Sequence, residues 1–75
     1  MPIHADDLAV DRFAAAMKEK LAKKRKQGYG GWETPDDCHI LRLHGLLDYE
    51  AKRENRDPID IANYAMMIWN RKESR

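Results

Sequence analysis

Apolar residues in this chain recur at helical spacing, and nowhere do they alternate over a useful length with the period of a strand. Val10, Phe13, Met17 and Leu21 follow at intervals of three and four, which places them on one stripe of a helix. The run Ala14-Ala15-Ala16 favours that helix. Asp6 or Asp7 is suited to cap its start, and the lysines in its last turns complement the negative end of its dipole. Gly28 is a natural stop, because glycine accepts the left-handed conformation of a helix terminus. The first helix is therefore expected over about 6–27. Thr34-Pro35-Asp36-Asp37 opens a second, with threonine as cap, proline at the first helical position and acids at the positive end. Ile40, Leu43, Leu46 and Leu47 form its apolar face, and it is expected over about 35–54. Asp57-Pro58-Ile59-Asp60 repeats the device for a third helix over about 58–70, followed by a frayed tail, Arg71–Arg75.

The third helix is apolar nearly all round. Ile61, Ala65 and Ile68 face one way, while Tyr64, Met66 and Met67 cover much of the rest. Such a helix is normally buried on several sides, and two companion helices in 75 residues cannot enclose it. The pattern predicts a single all-α domain over residues 1–75 whose helical hairpin packs into an oligomeric bundle. Ile61, Tyr64, Ala65, Met67 and Ile68 are its expected interface, and the first partner of the chain is itself.

Composition adds limits. The chain has a single cysteine, Cys38, so no intramolecular disulfide can form and a reducing, cytoplasmic setting is expected. There is no apolar run of membrane-spanning length, so no membrane partner is expected. The net charge of +1 excludes a simple nucleic-acid-binding arm, yet the charge is uneven. Lys18, Lys20, Lys23, Lys24, Arg25 and Lys26 crowd together, and acids follow later in the chain.

The basic cluster runs straight into Gln27-Gly28-Tyr29-Gly30-Gly31-Trp32. Read plainly, this is a dipole-matched helix end and a glycine turn. Read as a site, Lys23, Lys24 and Lys26 supply charge for a phosphate, the glycines let backbone amides approach it, and Tyr29 and Trp32 offer flat faces to a base. The positive end of the second helix, expected only a few residues later, would aim at the same spot. The same segment is equally suited to an acidic protein or a nucleic-acid backbone. Other chemistry is poorly supported. Cys38, His39 and His44 lack the i, i+4 spacing of a helical zinc site, and no Gly-rich phosphate loop ending in Lys-Ser/Thr is present.

Gly30-Gly31-Trp32, a capped helix, and then Asp60-Ile61-Ala62-Asn63-Tyr64-Ala65-Met66-Met67-Ile68 resemble the short MazG-like proteins of bacteriophages and bacteria, within the all-α nucleoside triphosphate pyrophosphohydrolases. The resemblance covers roughly Leu21 to Asn70. It implies a metal, usually magnesium, among carboxylates of the second and third helices, a nucleotide held near the first loop, and subunits paired into bundles. Where the family carries three acids on its second helix, this chain has Leu46, Leu47 and Glu50. Where the third helix carries E-x-x-D, this chain has Asp57-Pro58-Ile59-Asp60, whose first acid is also the expected cap. A residual metal site would rest on Glu50 and Asp60, with Asp48 or Glu54 as substitutes.

The expectation is therefore a small non-catalytic accessory protein with no cofactor and no catalytic residues. The resemblance implies phage origin, and with it residence in the host cytoplasm. Such a protein would bind a nucleotide, a nucleotide signal or an acidic host protein, a defence target included. Two alternatives stay open. One is a magnesium-dependent pyrophosphohydrolase with an eroded site, and the other is an oligomer acting only through protein contacts.

Overall fold

Three helices follow from these patterns in a computed structural model that describes residues 3–73: α1 (Ala5–Lys26), α2 (Ile40–Lys52) and α3 (Pro58–Glu73). The described residues hold no strand, and none of their helices is long and apolar enough to cross a membrane.

Helix α1 ends as its glycine demands. Gly28 takes φ 93°, its amide donates to the Arg25 carbonyl at 3.0 Å, and the Tyr29 amide donates to the Lys24 carbonyl at 3.0 Å. This paired closure satisfies carbonyls that the helix end would otherwise leave open. The start of α1 differs from expectation. His4, two residues before Asp6, is the cap, its Nδ1 accepting from the Asp6 amide at 2.9 Å.

Helix α2 begins at Ile40, not at Pro35. The Thr34 hydroxyl donates to the Asp37 carboxylate at 2.8 Å, a contact within the turn that precedes the helix. The Thr34 carbonyl takes the amides of Asp37 and Cys38, which closes an isolated turn. The chain then extends at His39, whose Nδ1 accepts from the Leu41 amide at 3.1 Å and caps the helix. At its other end α2 stops at Lys52, two residues before the expected 54, and the Arg56 guanidinium donates to the Ala51 carbonyl at 2.8 Å. Helix α3 starts as expected, with Asp57 Oδ1 accepting from the Ile59 amide at 2.9 Å and Pro58 in the first turn. It runs on through Arg71, Lys72 and Glu73, where a frayed tail was expected. Arg71 anchors this last turn, donating from Nη1 to the carbonyls of Trp32 at 2.9 Å and Cys38 at 2.8 Å. Ser74 and Arg75 lie outside the described residues.

Helix α3 is central, packing against α2 on one side and α1 on the other, while α1 and α2 do not pack together. Core formation is lopsided. Leu43 and Met67 are buried at the α2–α3 seam, joined by the polar Glu50 and Asn63, whereas α1 buries no residue fully. Complete burial of a leucine such as Leu43 contributes roughly 1.5–3 kcal/mol. The predicted stripe of α1 divides in two. Met17 and Leu21 are half-buried against α3, but Phe13 and Val10 are exposed, Val10 at 64%. The radius of gyration, 13.9 Å, exceeds the roughly 11 Å of a compact chain this long.

Candidate functional site

Lys20 leaves α1 two residues after Lys18 and points across to the start of α3. Its ammonium donates to Asp57 Oδ2 at 2.7 Å and to Asp60 Oδ2 at 3.0 Å. Both carboxylates thus share one cation, and Asp57 spends its other oxygen on the helix cap. These contacts shift the groups involved. The hydrogen bond to Asp57, then that to Asp60, hold Lys20 above its ordinary pKa of 10.5. Asp57 lies below its ordinary 3.8, through Lys20 first and the Ile59 amide second. About one turn deeper into the same seam, the Asn63 side-chain amide donates to the Met17 carbonyl at 3.5 Å, so α1 and α3 run antiparallel. The Asn63 Oδ1 is buried and accepts no hydrogen bond among the described residues.

Glu50 is the buried acid of α2, only 9% exposed. Arg53, three residues on, donates to both its oxygens at 3.3 and 3.1 Å. Tyr64 lies within the field of both acid groups. Burial raises its phenol above the ordinary 10.0 first of all, then the charges of Glu50 and Asp60 and the neighbouring Tyr29, with Arg42 opposing. Glu50 and Asp60 are each matched by a cation of the chain itself, Arg53 and Lys20. No set of three histidine, cysteine, aspartate or glutamate side chains comes together to hold a metal among the described residues. Leu46 and Leu47 are half-buried in the apolar face of α2, and Glu54 falls beyond the helix end.

The basic end of α1 has a different balance. Lys23 reaches Glu19 at 3.8 Å on its own helix face. Lys24 lies over the Tyr29 ring, 5.0 Å from its centroid, and Tyr29 is 62% exposed. Among the described residues, the ion pairs of the chain leave out Lys24, Arg25 and Lys26. Trp32 is half-buried and its carbonyl is tied to Arg71, so it stands with the α3 end of the loop. The structure thus brings Lys24 and Tyr29 together and gives Trp32 a separate anchorage.

Two details of the expected phosphate cradle change. The amides of Gly28 and Tyr29 are already used in closing α1. The start of α2 follows Trp32 by eight residues, not two or three, and His39 already accepts from one of its first amides. Gly31 has its own structural reason, a φ of 79° and an Asp37 Cβ that would lie 3.2 Å from any added Cβ. A concavity of about 610 Å³ lies elsewhere, between the 33–39 loop, α2 and α3, with Ile40, His44, Ile68 and Arg71 on its walls. Its mixed lining includes none of the lysines or aromatics of the 23–32 segment. Of the expected interface residues, Met67 is buried within the chain, Ile61, Tyr64 and Ile68 are half-buried, and Ala65 is exposed.

Lys20, Arg71 and the two histidine caps were not singled out by the sequence. Lys20 sits inside a run of similar lysines, and its partners lie far along the chain. Comparison with protein-family models, with curated proteins and with solved structures finds no match for this chain.

Proposed function

We propose that this chain is a non-catalytic, self-associating relative of the nucleoside triphosphate pyrophosphohydrolases that holds the phosphate of a nucleotide at the basic end of α1. The observation that carries the reading is an asymmetry of charge. The acids at the family's metal positions are neutralised by Lys20 and Arg53, while Lys24, Arg25 and Lys26 have no carboxylate partner among the described residues. Magnesium needs one or two carboxylates aimed at it, and here an ammonium already occupies that role. An anion, in contrast, relieves the mutual repulsion of three adjacent cations. Tyr29, exposed beside Lys24, adds a face on which a base stacks.

The test is a thermal-shift screen of mono-, tri- and cyclic nucleotides. A ligand present at a hundred times its dissociation constant stabilises the fold by about 2.7 kcal/mol. Lys24→Ala, Lys26→Ala and Tyr29→Ala should each diminish the shift, and added salt should weaken it because exposed cations are screened. No pyrophosphate should be released from any nucleoside triphosphate with magnesium or manganese. Turnover that disappears in Asp60→Asn would restore the enzyme reading. A null screen, with an acidic protein captured through the same lysines, would replace the nucleotide with a protein partner.

A further inference from the structure

We infer that the concavity between the 33–39 loop, α2 and α3 is a binding site for a small monocarboxylate with an apolar body, separate from the basic end of α1. Its volume, about 610 Å³, lies within the roughly 300–1,000 Å³ of small-molecule sites. Ile40 and Leu41 from α2 and Ile68 from α3 form apolar walls. Leu41 is 69% exposed, whereas Leu43 is buried and Leu46 and Leu47 are half-buried. An apolar occupant would take that one outward leucine of α2 out of water.

The polar part of the lining selects the head group. Arg71 donates from Nη1 to the carbonyls of Trp32 and Cys38. Its Nε and Nη2 have no acceptor among the described residues. Those two nitrogens form one edge of the guanidinium, the fork that receives both oxygens of a carboxylate. The carbonyl contacts fix the guanidinium, so the fork is set before a ligand arrives. An apolar ligand without an anion would strip water from that charge and offer nothing in return.

Charge then limits the anion. Lys72 and Glu33 also line the concavity, and neither joins an ion pair among the described residues. Two cations against one acid leave a single positive charge, and His44 on the same wall adds none in its neutral form. A carboxylate monoanion matches that charge. A phosphate monoester, at about −1.5 to −2 near neutral pH, overfills it.

The experiment is titration of the isotope-labelled full chain with octanoate, followed by amide shifts in nuclear magnetic resonance, beside octanamide and octyl phosphate. Octanoate should give saturable shifts at Ile40, Leu41, His44 and Arg71 and leave Lys23–Tyr29 unmoved. Octanamide keeps the body and loses the charge, and should bind roughly 10-fold or more weakly, the loss expected for charge-assisted hydrogen bonds. Octyl phosphate should bind no more tightly than octanoate. Leu41→Glu and Lys72→Gln, at exposed positions, should keep the helical signal in circular dichroism and weaken octanoate, Leu41→Glu the more. Glu33→Gln should tighten it. Lys24→Ala should leave it unchanged, so this site and the nucleotide segment stand or fall apart. Equal affinity for octanamide and octanoate, tighter binding of octyl phosphate, or shifts confined to residues 23–29 would overturn the carboxylate site. The absence of saturable shifts at millimolar octanoate would overturn it too. Shifts that appear only as the protein is diluted would give the concavity to a second copy of the chain instead.

Discussion

The α2–α3 hairpin and α1 are built from similar amphipathic patterns but are held by different forces. The hairpin closes over Leu43, only 1% exposed, and Met67, so its stability comes from apolar area removed from water. Helix α1 is the longest element, yet it buries no residue fully. It is fastened by one polar crossing, Lys20 onto Asp57 and Asp60 with the Asn63 contact to Met17, over the half-buried Met17 and Leu21. A hydrophobic stripe therefore specifies a helix more firmly than it specifies burial. The hairpin carries its own partner surface, while half of α1's stripe has none among the described residues.

Substitutions in the two regions should separate most widely in urea denaturation of dilute protein, where association is negligible. Met67→Asp puts an unpaired carboxylate into the hairpin core and should cost several kcal/mol, enough to unfold a domain this small. Leu43→Ala should cost about 2–5 kcal/mol through lost burial and the cavity left behind. Val10→Ala should remain within about 0.5 kcal/mol of wild type, as at an ordinary surface position. Equal losses at Leu43 and Val10 would mean that α1 packs as tightly as the hairpin, and the contrast would collapse.

A smaller effect concerns pH, which should act on the fastening of α1 more than on the hairpin. Lys20 is raised above 10.5, so its contribution is complete below that pH and is lost as pH rises through the shifted value. Asp57 is lowered below 3.8, so its contribution is complete above that pH and is lost as pH falls through its shifted value. Tyr64, raised above 10.0, adds to the alkaline loss because the folded chain resists forming the phenolate. The melting temperature should be level through neutrality and fall at both extremes. Lys20→Gln should lower the plateau and shrink the fall at the acid end, since Asp57 then keeps only the Ile59 amide. A variant with an unchanged acid limb would show that the Lys20 contacts do not fasten α1.

Local chemistry was the legible part of the sequence. Three helices, the Gly28 terminus, the Asp57 cap and the apolar face of α2 each depend on residues within a turn or two of one another. The start of α2 shows the limit of the same reasoning. Thr34-Pro35-Asp36-Asp37 carries every residue type of a helix start, but the threonine hydroxyl finds the Asp37 carboxylate and closes a turn instead. The cap falls to His39, a residue whose side chain accepts only through an unprotonated nitrogen. Lys20 and Arg71 were beyond reach for another reason. Their partners are brought close by the packing of α3, and neither the lysine run nor the polar end of α3 marks one cation above its neighbours. The same holds for the candidate nucleotide segment, where the charges were evident but the pairing of Lys24 with Tyr29, and the separate tethering of Trp32, were not.

The finest test of the contrast lies in two glycines of one loop. Gly28 terminates α1 at φ 93°, and a Cβ there would meet nothing within 4 Å. Gly28→Ala should therefore cost about 1–2 kcal/mol from backbone strain alone. Gly30 has no positive φ and equally open surroundings. Gly30→Ala should be neutral or stabilise by roughly 0.4–1 kcal/mol, because alanine narrows the unfolded ensemble. Hydrogen exchange would then locate the Gly28 effect. With α1 fastened at one crossing, the last turn around Lys23–Lys26 should lose protection while the amides near Leu43 and Met67 keep theirs, because those residues belong to a seam that α1 does not enter. A uniform loss across α1 and the hairpin would mean that the terminus at Gly28 is coupled to the whole fold, and that the chain unfolds as one unit despite its uneven burial.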